Sequence, residues 1–264
     1  MRWKCEAAYD GTEYAGWQSQ PNGNAVQDFI ERRLAVIFER PVRIHGAGRT
    51  DSGVHARGQV FHFDGDWPHG AARLLVALRV GFPRSLQIIS VEHVGASFHA
   101  RLSAVGKRYR YAYYAGHASP FEYRYYWSLG RRSPDVEAMN RGAAHLIGEH
   151  DFSAFGANPR DGRRESPVKT LRKLVVTQDG RRIFLETEGS GYLYRMVRSL
   201  AGCLLDVGIG KLRPEQVGEI LASRQRTSLV ATAPADGLSL EKVFYPEMAD
   251  ASVPPDRAVI ESEP

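Results

Sequence analysis

Residues 3–10 alternate, with Trp3, Cys5, Ala7 and Tyr9 on one face, and this period of two predicts a half-buried strand. The period then changes. From Val26 the apolar positions Phe29, Ile30, Leu34 and Ile37 recur at helical spacing, which predicts an amphipathic helix with Asn24 as its N-cap and an end before Pro41. Short strands are expected over 42–45 and 59–64, with a loop between them punctuated by glycines 46, 48, 53 and 58. A second helix over 71–78 and a strand over 86–94 complete the first half.

The second half uses the same alphabet. A long strand over 104–114 is followed by a helix over about 135–146. Asp179-Gly180 is the turn of a hairpin joining 171–177 to 183–187. Leu193, Met196, Val197, Leu200, Leu204 and Leu205 mark a strongly amphipathic helix after Gly191, and Pro214 suits the first turn of the next. A last strand is read over 238–245; the acidic, proline-bearing residues beyond Pro246 have no periodicity and read as a mobile tail. Together these patterns predict an α+β chain with a mixed, largely antiparallel sheet and flanking helices. Its expected divisions are an N-terminal half over 1–101, a C-terminal half over 102–246 and the tail over 247–264.

Composition narrows the class. At 264 residues, 43% hydrophobic and 25% charged, the chain resembles an ordinary globular enzyme rather than a disordered or disulfide-framed protein. No apolar run approaches the ~20 residues of a membrane span, and the N-terminus lacks a secretory stretch, so a cytoplasmic protein without a membrane partner is expected. Cys5 and Cys203 lack metal-ligand spacing and read as buried thiols. The net charge of +5 allows a polyanionic partner. Its distribution is more telling, because residues 101–132 combine Arg101, Lys107, Arg108, Arg110, Arg124, Arg131 and Arg132 with seven tyrosines, cations for phosphates and flat rings for bases.

The densest chemistry lies in residues 46–60, GAGRTDSGVHARGQV, where a carboxylate, two arginines, two hydroxyls and an imidazole stand within nine residues. Residues alone leave two readings: a structural turn with an Asx-type hydrogen bond from Asp51, or a catalytic loop. This stretch, Arg49-Thr50-Asp51 followed by Gly53-Val54-His55-Ala56, is similar to the signature of the tRNA pseudouridine synthase A family. The resemblance extends to Tyr9-Asp10-Gly11-Thr12 with Tyr14 and Gly16-Trp17-Gln18, to Phe98-His99-Ala100-Arg101 and Lys107-Arg108-Tyr109-Arg110-Tyr111, to residues 148–155, and to Met196-Val197-Arg198 with Gly202. Arg79, Gly81 and Ser199 stand where the family commonly has asparagine.

The resemblance implies a pseudouridine synthase fold of two ferredoxin-like halves, a homodimer, and conversion of uridine to pseudouridine at positions 38, 39 and 40 of tRNA. It makes Asp51 the catalytic carboxylate, attacking C1′ or removing a ribose proton; an adjacent arginine, Arg49 or Arg198, would favour its charged form. It makes Tyr109 the ring that stacks on uracil. Alternation places Tyr109, Tyr111 and Tyr113 on one face of their strand and Arg108 and Arg110 on the other. Asp10, Thr50 and His55 read as supporting groups, Asp10 first as a turn residue and His55 as a brace for backbone. Arg163 and Arg164 read as a solvated face, and His145 and His150 lack zinc partners. The chemistry needs no cofactor or metal. A noncatalytic tRNA-binding protein or RNA chaperone, and a hydrolase of N-glycosidic bonds, are the rival readings.

Overall fold

A computed structural model describes residues 1–157, 165–246 and 256–259. In chain order the elements are strand β1 (Arg2–Tyr9), helix α1 (Val26–Phe38), β2 (His45–Gly46), β3 (His55–Asp64), α2 (Gly70–Arg79), β4 (Leu86–Val94), β5 (Gly106–Tyr114) and β6 (Trp127–Ser128). There follow α3 (Val136–Ala144), β7 (Gly148–Asp151), β8 (Val168–Asp179), β9 (Arg182–Gly189), α4 (Met196–Gly208), α5 (Pro214–Ser223), β10 (Leu238–Phe244) and β11 (Arg257–Val259). The α+β class expected from periodicity is observed. Arg163 and Arg164 lie outside the described residues.

Packing divides the chain into two units. The first comprises Met1–Val105 together with the described residues from Leu240 onward, and the second Gly106–Ser239. Chain order had put the last strand with the second half, but most of β10 belongs to the first unit, where it lies beside β3.

In the first unit the strand order is β11-β4-β1-β3-β10, with β2 paired to β3. β1 is antiparallel to both β3 and β4, and Trp3, Cys5, Ala7 and Tyr9 are all buried, as alternation requires. α1 buries Val26, Ile30 and Leu34. Its N-cap is Ala25 rather than Asn24: the Asp28 carboxylate accepts the Ala25 N–H at 2.9 Å, while Asn24 donates its amide to the Glu13 carbonyl. The strand expected over 42–45 shrinks to His45–Gly46 because the Ile44 N–H goes to the Glu31 carboxylate of α1 (3.0 Å) instead of a strand. β3 starts four residues before the expected point, since its pairing with β1 recruits residues that have no alternation of their own.

The tail also departs from expectation. β11 pairs antiparallel with β4, Ala258 opposite Val91, and the Asp256 carboxylate accepts the Ala71 N–H at 2.9 Å, supplying the N-terminal cap that α2 lacks locally. Asp256→Ala is therefore expected to lower stability by about 1 kcal/mol, seen as a drop of ~2–4 °C in thermal midpoint.

Three imidazoles meet at the edge of this unit. His62, 2% exposed, has its ring 4.6 Å from His99 and 5.0 Å from His45, and its Nδ1 accepts the Ala100 N–H. Burial, then the neighbouring His99, His45 and Arg2 charges, disfavour its protonated form and lower its pKa to about 4, with Asp64 opposing. Because the unfolded chain takes up this proton near pH 6.5 and the folded chain does not until about 4, stability falls as pH drops through that window. Urea midpoints at pH 7 and pH 5 should reveal a loss of about 1–2 kcal/mol that His62→Gln reduces; an identical loss in the variant would assign the effect elsewhere.

The second unit orders its strands β5-β9-β8-β7, all antiparallel, with the short β6 parallel to β5. Tyr109, Tyr111 and Tyr113 are buried on one face of β5, as alternation predicts. α4 is the central helix: eleven of its thirteen residues are buried, more than one amphipathic stripe requires, because α3, α5 and β5 all pack on it. Gly202 lies where any Cβ would strike the Ala231 carbonyl. Cys203 is a free buried thiol, pushed up to about 12 by burial, and Cys5 of the first unit is likewise free, buried and raised.

Candidate active site

The loop between β2 and β3 is short of regular structure yet tightly held. Its first residue, Ala47, donates to the Val60 carbonyl at 2.7 Å, and the Gln59 amide of β3 donates to the Gly48 carbonyl at 2.9 Å. Trp17 N–H reaches the Thr50 carbonyl (3.1 Å), Ser52 Oγ donates to the Tyr14 carbonyl (3.1 Å), and Val54 N–H closes a turn on the Asp51 carbonyl (3.1 Å). At the end of β1 the Tyr9 phenol is 2.8 Å from Thr50 Oγ1. Burial pushes this phenol up to about 12, with Thr50 and Gln59 opposing, so it stays neutral at any physiological pH and can serve as a fixed hydrogen-bonding post.

Asp51 sits in the middle of these anchors. Thr50 before it is buried, Ser52 after it is exposed, and Asp51 itself is half-buried, so its carboxylate is carried on a braced backbone at the surface of the unit. Arg49 is exposed.

Two glycines allow the segment after β1 to approach this loop. At Gly11 any Cβ would overlap the Val54 carbonyl, and at Gly16, with φ +93°, it would lie 2.7 Å from the Thr50 carbonyl. Asp10 caps the single 3-10 turn over Gly11–Glu13, accepting the Thr12 N–H at 3.0 Å. His55, buried at the start of β3, accepts the Gly11 N–H on Nδ1 at 3.0 Å, and the Asp10 carboxylate is 3.2 Å from the same nitrogen. Asp10, Thr50, Asp51 and His55 are thus brought together in the first unit by β1, β3 and the loops at their ends.

The remaining residues named from sequence belong to the second unit. Tyr109 is 7% exposed, its ring edge-to-face with Tyr192 at 5.1 Å, and the Tyr192 hydroxyl is 3.0 Å from Thr187 Oγ1. On the other face of β5, Arg108 pairs with Glu188 at 2.6 Å and Arg110 with Glu186 at 3.0 Å, the latter carboxylate shared with Lys173. Arg198, in the first turn of α4, donates Nε to the Ala233 carbonyl at 2.7 Å.

Sequence reasoning missed three contributors. Tyr9 and Gln59 were visible only as members of motifs, not as supports of residues 48–50. Arg226 gave no signal at all: its guanidinium reaches Ser199 Oγ (2.9 Å), Thr232 Oγ1 (2.7 Å) and the carbonyls of Phe155 and Val230, tying α4 to the loop that receives Arg198. Burial and the Arg195 charge lower its pKa. This contact gives Ser199 its role: a buried hydroxyl that accepts from the Arg226 guanidinium. Gly81, with φ +84°, occupies the left-handed region that asparagine also tolerates. Among the described residues no group of histidine, cysteine or acidic side chains could hold a metal ion, and no helix is long and apolar enough to cross a membrane.

Comparison with known proteins adds the following. The family model described as tRNA pseudouridine synthase matches residues 7–102 and 143–246. Proteins named tRNA pseudouridine synthase A are similar to nearly all of the chain. The one from Exiguobacterium sibiricum is 37% identical over 246 residues, 93% of this chain and 97% of its own. That from Lysinibacillus sphaericus is 41% identical over 92% and 99%, and that from Bacillus subtilis 41% over 93% and 99%. Among solved structures, a chain of a Cbf5-Nop10-Gar1 complex aligns with 90% of this chain and 48% of its own at 11% identity, with a TM-score of 0.38.

Proposed function

This chain belongs to the tRNA pseudouridine synthase family, and we propose that it isomerises uridine in the anticodon stem-loop of tRNA, at positions 38, 39 and 40, through the carboxylate of Asp51. The observation that carries the reading is the half-buried Asp51 held on a loop whose backbone is anchored at Ala47, Gly48, Thr50 and Val54.

The chemistry asks little else. The C1′–N1 bond of the nucleotide breaks, the freed uracil turns, a C1′–C5 bond forms, C5 loses its proton and N1 gains one. No electrons are exchanged with a second reactant, so neither a redox cofactor nor nucleotide energy enters the balance. A carboxylate can drive the first step by attacking C1′ or by taking the C2′ proton to give a glycal; a primary isotope effect from deuterium at C2′ would separate the two routes.

In this reading Tyr109, fixed by its contact with Tyr192, would stack on the extruded uracil, and Arg49 and Arg198 would meet the charged groups around it. Thr50, Asp10 and His55 support the loop and the turn beside it. Arg108 and Arg110, occupied by cross-strand carboxylates, would contribute field more than direct contact. A cytoplasmic homodimer fits a substrate larger than one protomer.

The test is release of tritium from tRNA labelled at C5 of uridine, followed by mapping of the modified positions. Stoichiometric release with product at 38–40 is the expected result. Binding without release would support the noncatalytic reading, and free uracil would reveal a hydrolase.

A further inference from the structure

The exposed rings of the second unit are concentrated in one turn. After β5 ends at Tyr114 the chain runs through a series of turns to β6, and five of the seven residues from Phe121 to Trp127 are aromatic. Three of these rings face solvent, with Phe121 92%, Tyr123 51% and Tyr125 44% exposed. The other two turn inward, Tyr126 against Tyr114 and Phe184, Trp127 against Tyr113.

This turn is built to hold its rings out. Glu122 and Tyr123 N–H groups both reach the Ser119 carbonyl, Tyr125 N–H reaches that of Glu122, and the Glu122 carboxylate pairs with Arg182 of the β8–β9 hairpin at 2.8 Å. The hairpin is fixed to the same place by Ala115 N–H on the Arg181 carbonyl. Glu122 is the only acidic residue between 115 and 132, and with Arg182 neutralising it the surface keeps an excess of positive charge, including the exposed Arg131 and Arg181.

We propose that this turn is a second tRNA-binding surface, its rings stacking on unpaired bases and Arg131 and Arg181 taking phosphates; the identity of the RNA rests on the isomerase reading above. Exposed flat rings set among guanidinium groups are the chemistry by which unpaired nucleotides are held without sequence preference. The rings are interleaved with Glu122 and Arg124 rather than forming a continuous apolar patch, and the surplus charge is positive, so the face suits a polyanion better than a second apolar protein surface. β5 runs five residues, about 17 Å of strand, from Tyr109 to its end at Tyr114, and the turn follows beyond that end, so it is placed to meet a part of the tRNA other than the target base.

The experiment uses the full chain with Phe121, Tyr123 and Tyr125 all changed to Ser, positions exposed enough to leave folding intact, with thermal unfolding as the control. Expected are a rise of about tenfold or more in the Kd for a tRNA transcript, a parallel rise in KM for tritium release and an unchanged kcat. A second variant, R131A with R181A, should reduce the slope of log affinity against log salt by about 1–2. An unchanged Kd in the triple variant overturns the proposal. So does a fall in its sedimentation coefficient that accounts for the lost binding, which would assign the turn to contact between copies of the chain. Wild-type protein that binds tRNA but releases no tritium sinks the isomerase reading alone, and the Kd comparison still decides this surface.

Discussion

Asp51→Ala is expected to cut tritium release from C5-labelled tRNA by about a thousandfold or more while leaving tRNA binding and thermal stability close to wild type. The stability half of this expectation comes from the anchoring of the loop. The bonds that hold residues 47–54 include those of the Ala47 N–H, the Asp51 backbone carbonyl, the Thr50 carbonyl and hydroxyl, Ser52 and the carbonyl of Gly48. These bonds are made by backbone and by neighbouring side chains, so they persist when the Asp51 carboxylate is removed. Asp51→Asn should be nearly as inactive, since it keeps the shape and removes the charge. Asp51→Glu keeps the charge but shifts it by about one methylene, and a displacement of ~1 Å at a reacting group costs on the order of a hundredfold. A rate within tenfold of wild type for Asp51→Ala would show that the carboxylate does not do the chemistry.

Gly16→Ala is expected to be severely damaging for a substitution that adds only a methyl group. At φ +93° any side chain is strained, and the new Cβ would lie 2.7 Å from the Thr50 carbonyl and 3.0 Å from the Asp51 carbonyl carbon. Neither neighbour is a flexible side-chain tip; both are the backbone that carries Asp51, so relief requires the loop to move. The expected cost is about 2–4 kcal/mol of stability, read by urea unfolding, with a fall of about a hundredfold in kcat. Gly210→Ala is the control: φ is +75° but no atom lies within 4 Å of the added Cβ, so it should cost only about 1 kcal/mol and leave kcat unchanged. Equal effects at the two positions would mean that backbone strain alone, rather than the approach of residue 16 to the loop, accounts for the loss.

Much of the local structure was legible because it is encoded locally. β4 falls on residues 86–94 as its apolar pattern requires, the Asp179-Gly180 turn joins β8 to β9, and Pro214 opens α5. These features depend on side-chain period and turn chemistry within a few residues. Asp51 was legible for another reason: residues 46–60 hold more reactive groups than a connector needs, and their order is specific enough to be set beside a family.

Tertiary structure decided the rest, because it depends on groups that meet only after the chain has folded. Nothing near α2 announces that its cap comes from Asp256, 185 residues away, or that residues 257–259 lie along β4 rather than in a featureless tail. Val42 and Ile44 have the pattern of a strand, but the Ile44 N–H is claimed by Glu31, and a backbone donor spent on a carboxylate is lost to a ladder. His62 looks like one more strand residue until His45 and His99 close on it and burial fixes its charge. Sequence by itself determined which residue types stand in the loop over 46–60 and which faces of the strands are apolar. Tertiary structure determined how firmly that loop is held, through a phenol 41 residues away on β1, a glutamine on β3 and glycines that let two backbones touch. Period and composition act along the chain; a hydrogen bond or a steric limit acts through space.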